Sequence, residues 1–327
     1  MGIVRRTIST ALDTGLYVTR LVEGKDRRCR DVRKQSFQIL AVTLLALLLN
    51  SIGPSRADDR GNAPLIQEEI WALPLPLPMF AYLVRPVGKG PFPLAIMNHG
   101  VSLNPKERSF FPLVEFRDAA MWFARRGYLV VAPVGTGYGA AAIDIAERGL
   151  YGPFFSKVGK CTNPNFLDPG LAVAQVDLWI IDYMAAEKQI VPRDVIVVGQ
   201  SAGGWASIAL SSLNPAQVKA IITFAAGRGG RVDGKPNNNC APDKLVAATA
   251  EFGRTSRIPM LWIYIENDTF FGPALSKRMH EAFTAAGGRA EYHLLPPFGN
   301  EGHFLIGSAD AIPIWSPLVE RFLDGPR

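Results

Sequence analysis

The sequence predicts an α/β protein with a mostly parallel central sheet and helices on both faces. Three observations carry the prediction. From residue 93 onward, short apolar runs alternate with segments of helical periodicity, the order expected of βα units. The runs 128–131 (YLVV), 195–198 (VIVV) and 260–265 (MLWIYI) are continuous rather than alternating, which suits strands covered on both faces. At 199–203 a serine stands on a glycine-flanked turn between one such strand and a helix.

The chain has 327 residues, 48% hydrophobic and 20% charged, which is ordinary globular composition. Residues 1–57 carry ten Lys or Arg against four Asp or Glu, the whole of the net charge of +6, and residues 58–327 hold 25 of each. The body therefore offers no electrostatic case for binding nucleic acid. In the leader, Arg27, Arg28, Arg30, Arg33 and Lys34 precede the apolar run 39–49 (ILAVTLLALLL), and the small residues Ser55 and Ala57 follow. This pattern predicts a signal peptide cleaved before Asp58, with export to the periplasm or beyond. The run is short of the about 20 residues a membrane span needs, so no stable insertion is expected once it is removed. An uncleaved anchor is the alternative. The stretch before the apolar run is long for a signal peptide, which points to an over-extended start. Residues 58–327 then form one domain.

Within that domain, 58–69 is polar and reads as a loose start. The segment 70–78 (IWALPLPLP) has prolines at alternate positions, so it is an edge strand or an extended loop. Strands follow at 80–85 and 93–97. A helix at 117–126 ends at Gly127, and a strand at 128–131 runs into Gly135, Gly137 and Gly139. Residues 140–168 read as an excursion over the top of the sheet. Asp168 as cap and Pro169 at the first helical position open a helix with the stripe Val173, Val176, Ile180 and Met184. After the elbow come a strand at 220–224 and a glycine- and asparagine-rich loop from 227, read as continuing to 256. A strand at 260–265, a helix at 273–286, a strand at 291–295 and a helix at 315–323 complete the chain.

The spelling Gly199-Gln200-Ser201-Ala202-Gly203 is G-x-S-x-G, a nucleophile elbow. A serine hydroxyl attacks a carbonyl only when a base takes its proton and the developing oxyanion is held. The strand-to-helix turn lifts Oγ out of the sheet, and glycines two positions either side avoid crowding it. The N–H of Ala202, at the new helix's start, is one oxyanion donor; Gly100 or Val101, after the strand 93–97, is the second. Of the four histidines, His280 falls in a helix and His293 in a strand. His303 sits in a loop after the last strand and is the candidate base. His99 is read as a brace for the loop it begins. Asp268, after the strand 260–265, is the candidate acid, with Glu266, Asp233 and Asp243 as rivals and a helix cap as its purely structural role. All these groups fall at strand ends, where doubly wound sheets bind ligands. Tyr138, Tyr151, Phe154, Phe155, Trp205, Phe270 and Phe271 fall in or near the loops there, some as packing and some as pocket walls.

Cys29 leaves with the leader. Cys161 and Cys240 lie in loops of an exported chain and are expected to be joined, with two unrelated free thiols as the alternative. No C-x-x-C or H-E-x-x-H spacing supports a metal.

The combination of His99-Gly100, Gly199 to Gly204, Glu266-Asn267-Asp268 and Gly302-His303-Phe304 resembles the α/β-hydrolase superfamily, and within it the dienelactone-hydrolase-like serine esterases. The resemblance runs from about residue 70 to the C-terminus. It implies the α/β-hydrolase fold, an acyl-serine intermediate, water as second substrate and no cofactor. Dienelactone hydrolases proper use a cysteine nucleophile; Ser201 stands here, which favours a serine carboxylesterase acting on small esters. Two alternatives remain open: an acyltransferase or peptidase with the same triad, and a non-catalytic binding protein of this fold.

Overall fold

Backbone pairing gathers the apolar runs into a single sheet. In the computed structural model, which describes residues 64–325 apart from 78, 103–104, 136 and 140–159, these are β1 (Ile66–Leu73), β2 (Met79–Pro86), β3 (Phe92–Asn98), β4 (Leu129–Pro133), β5 (Ile190–Gln200), β6 (Val218–Phe224), β7 (Met260–Ile265) and β8 (Ala290–Leu295). The leader, Tyr151, Phe154, Phe155 and most of the 140–168 excursion lie outside the described residues. The strand order is β1-β2-β4-β3-β5-β6-β7-β8. β1 and β2 are antiparallel, β2 and β4 likewise, and every pair from β4 to β8 is parallel. The carboxyl ends of β3 to β8 therefore open on one edge.

The helices are α1 (Pro105–Ser109), α2 (Arg117–Ala124), α3 (Leu167–Ala186), α4 (Ala202–Leu213), α5 (Pro242–Thr255), α6 (Pro273–Ala285) and α7 (Ile312–Asp324). The two-residue period of a strand divides the sheet's side chains between two cores. On β7, Met260, Trp262 and Tyr264 pack with residues of α3 to α6, whereas Leu261, Ile263 and Ile265 pack with residues of α2 and α7. All six β7 residues are buried, which explains their unbroken apolar run. No described helix is long and apolar enough to cross a membrane.

Three elements differ from the sequence reading. β1 takes in Ile66 to Glu69, read as a loose start; as an edge strand it tolerates polar residues, and Glu68 accepts from Tyr82 Oη at 2.5 Å. α3 begins at Leu167, so Asp168 is not its cap and Pro169 is its third residue rather than its first. Asn165 supplies the acceptor instead, its Oδ1 receiving the Asp168 N–H at 3.1 Å. Residues 242–255, read as loop, are α5. Pro242 stands in its first turn, and Leu245, Ala248 and Phe252 recur at helical spacing to face the core.

Cys161 and Cys240 form a disulfide with Cα atoms 5.0 Å apart. It ties the segment before α3 to the loop before α5.

Candidate active site

The elbow is a strained turn. Ser201 has φ 54° and ψ −119°, a conformation a side chain tolerates only when its surroundings impose it. Here the Ser201 N–H donates to Phe224 O at 3.0 Å, and the Ser201 carbonyl accepts from Trp205 N at 2.9 Å and Gly227 N at 3.0 Å. The flanking glycines have reasons the sequence did not reveal. A Cβ at Gly199 would run into Gly203 O and Ser207 Oγ, and one at Gly203 into the carbonyl of Asn98. Neither glycine makes room for the serine itself; both let α4 sit against the ends of β5 and β3.

The β7–α6 turn carries Asp268 and the turn after β8 carries His303. Both are buried, and His303 Nδ1 lies 3.1 Å from Asp268 Oδ2. The other oxygen, Asp268 Oδ1, accepts from the N–H groups of Phe270 at 2.7 Å and Phe271 at 3.0 Å. A carboxylate held by two backbone donors keeps one oxygen aimed at the imidazole. The Phe270 ring stacks on that imidazole, with centroids 4.1 Å apart and planes 20° apart. Gln200 links this pair to the elbow: its Nε2 donates to His303 O at 2.9 Å. Among the described residues no hydrogen bond joins Ser201 Oγ to His303 Nε2; the contact that ties the acid–histidine pair to the elbow is the one through Gln200. Of the rival acids, Glu266 and Asp233 are exposed, and Asp243 pairs with Arg278. His280 Nε2 bonds Ala290 O, and His293 lies on β8 beside Glu291.

The loop after β3 approaches the serine from the other side. A Cβ at Gly100 would lie 3.0 Å from Ser201 Cβ and 2.5 Å from Gln200 Oε1, so a side chain there would crowd the serine and displace the Gln200 amide. His99 braces this loop. Its Nε2 accepts from the Gly135 N–H at 2.8 Å, and its Nδ1 donates to Gly100 O at 2.6 Å. One ring nitrogen accepts and the other donates, which requires neutral imidazole. Burial agrees, depressing the His99 pKa to about 4. Fixing the Gly100 carbonyl also fixes the Val101 N–H, which points the opposite way in the same peptide plane.

Beneath the loop is a group the sequence reading missed. Asp177, in α3, is fully buried; its Oδ2 accepts from Asn98 Nδ2 at 2.8 Å, and its Oδ1 has no partner among the described residues. Desolvation pushes its carboxyl up to about 7. The signal was present: Asp177 lies four residues after Val173 and three before Ile180, within the apolar stripe. Beside the elbow, His99, Val101, Tyr138, Ala202, Gly203 and Arg228 are among the residues lining a cavity of about 60 Å³. Arg228 has no hydrogen bond or ion pair among the described residues, and burial lowers its pKa. Among the described residues no cluster of His, Cys, Asp or Glu is arranged to hold a metal ion.

A strand–serine–helix turn, a buried acid–histidine pair after later strands and a mostly parallel sheet define an α/β-hydrolase. The dienelactone hydrolase family model matches residues 109–303, and the chain belongs to that family. Comparison with curated proteins finds no match. Among solved structures, a Klebsiella pneumoniae protein assigned as a dienelactone hydrolase is 19% identical, with TM-score 0.53 over 80% of this chain and all of its own. The Pyrococcus horikoshii acylaminoacyl peptidase is 14% identical, with TM-score 0.56 over 86% of this chain and 45% of its own. A CIB-like hydrolase from Thermoplasma acidophilum is 17% identical, with TM-score 0.50 over 79% of this chain and 98% of its own. At these identities the likeness is one of fold.

Proposed function

We propose that this chain is an exported serine hydrolase that cleaves small carboxylic esters through an acyl-serine intermediate. The observation that carries the reading is the buried bond between His303 Nδ1 and Asp268 Oδ2, at 3.1 Å, on the sheet edge where Ser201 is held in a strained turn. In this reading Ser201 Oγ attacks the ester carbonyl while His303 Nε2 takes its proton. Asp268 holds the Nδ1–H tautomer and stabilises the imidazolium. The N–H groups of Ala202 and of Gly100 or Val101 receive the oxyanion. His303 then protonates the departing alkoxide, and water repeats the sequence to release the acid.

Residues 1–57 are the leader in this proposal, and 58–327 the catalytic domain. The disulfide supports an oxidising compartment. Replacing Ser201 with Ala should abolish hydrolysis of a short p-nitrophenyl ester and labelling by a fluorophosphonate while the thermal melt is retained. Undiminished turnover by that variant overturns the proposal. Peptidase or acyltransferase chemistry with the same three residues is separated by product analysis with an amide substrate or an added alcohol.

A further inference from the structure

Glu301 is saturated with hydrogen bonds from both arms of the acid–histidine pair. Its Oε1 accepts from the N–H of Thr269 at 3.0 Å and of His303 at 3.2 Å. Its Oε2 accepts from Thr269 Oγ1 at 2.5 Å and Arg231 Nη2 at 3.0 Å. Thr269 follows Asp268 directly, so one carboxylate stitches the turn bearing the acid to the turn bearing the histidine. Arg231 arrives from a third segment, the loop between β6 and α5. Its guanidinium lies 4.5 Å over the Phe270 ring, which also stacks on the His303 imidazole. The loop holding Arg231 is pinned in turn: Asn237 N–H donates to Thr269 O at 2.7 Å, Asn239 Nδ2 donates to Phe270 O, and Cys240 is in the disulfide.

We infer that Arg231 and Glu301 are positioning residues for His303: the pair sets the plane of the imidazole and keeps the two charges beside it balanced. The inference rests on the serine-hydrolase reading. The charged groups on the segments packed around His303 are Asp268 and Glu266 from the β7–α6 turn, Arg228, Arg231, Asp233 and Lys235 from the loop before α5, and Glu301 on its own turn. Among the described residues, only Asp268, Arg231 and Glu301 of these contact the histidine or the ring stacked on it. Arg231 and Glu301 are 30% and 16% exposed, so their charges are shielded from water but cancel one another at the imidazole.

Separating the charges therefore has opposite effects. Arg231→Gln leaves an uncompensated carboxylate beside His303, which favours imidazolium, and the acidic limb of kcat/KM moves to higher pH. Glu301→Gln leaves an uncompensated guanidinium, and the limb moves to lower pH. Each shift is about half a pH unit or more at low salt, and the double variant returns the limb to near its original position. Glu301→Ala, which also removes the stitch to Thr269 and His303, lowers kcat about tenfold or more with KM little changed, and Glu301→Gln restores most of it. A merely structural clamp would lower activity without moving the limbs apart. Shifts of the same sign, or none, overturn the inference. The His303 ring titration, followed by NMR on a Ser201→Ala background with and without Arg231→Gln or Glu301→Gln, reads the same opposite shifts without turnover. If the wild-type chain has no Ser201-dependent esterase activity, the proposed function fails while this titration still decides the role of the pair.

Discussion

Replacing Asp177 with Asn should make the protein's stability advantage over wild type grow with pH. The side chain is fully buried, holds one hydrogen bond from Asn98 and leaves its second oxygen unpartnered among the described residues. Its pKa is raised from 3.8 to about 7 by desolvation. Between those values the folded carboxyl keeps a proton that the unfolded chain has released. Folding takes up a proton there, so stability is fully present below pH 3.8 and is lost as pH rises through 7. A shift of this size corresponds to about 4 kcal/mol in full, of which about 3 kcal/mol falls between pH 5 and 8. Asparagine keeps the shape and an acceptor for Asn98 but cannot ionise. Urea unfolding at pH 5 and 8 should therefore show the variant gaining about 3 kcal/mol on wild type across that interval, whatever the offset at pH 5. The Asn98 bond that steadies the Gly100 loop is retained, so kcat should change little. A stability difference that stays the same at both pH values would refute the reasoning.

His99 works with the opposite sign. Its folded pKa of about 4 lies below the ordinary 6.5, so its contribution is complete above pH 6.5 and lost as pH falls towards 4. His99→Gln should therefore gain at most about 3 kcal/mol on wild type in urea unfolding as pH is taken from 7 to 4; a stability difference that does not change with pH would count against the brace. In wild type the two slopes nearly offset one another over that window, so Asp177→Asn should also unmask the slope of His99. Cys161 and Cys240 are 79 residues apart in sequence, and the double serine variant should lose about 4 kcal/mol in guanidinium unfolding; a loss under about 1 kcal/mol would contradict the chain-entropy account. Gly203→Ala drives a methyl into the Asn98 carbonyl and should cost about 2 kcal/mol together with most of kcat, whereas normal melting and turnover would mean that the ends of β3 and α4 part easily.

The sheet's nature was legible because each parallel strand is an unbroken apolar run, and the elbow because strand, turn and helix are contiguous in the chain. β7 was read with its observed bounds, and the sequence read the neighbouring helices at 117 and 273 to within about a turn. α5 was missed because polar residues and the preceding asparagines masked a stripe of only three or four apolar positions. Asp177 was passed over because a single carboxyl within a hydrophobic stripe reads as an exception until its burial is seen.

Contiguous signals are local physics: side-chain period, turn chemistry and the steric demand of a serine between glycines are all written within about a dozen residues. These determined the fold class, the order of chemical groups along the chain and the residue types at each strand end. What a residue touches across the sheet is decided by packing, which no local pattern encodes. The placement of β4 between β2 and β3, the stitching of two turns by Glu301, the guanidinium of Arg231 over Phe270 and the buried carboxyl under Asn98 all join segments tens of residues apart. Only the folded chain, by excluding water from their meeting points, turns such pairings into definite charges and definite positions.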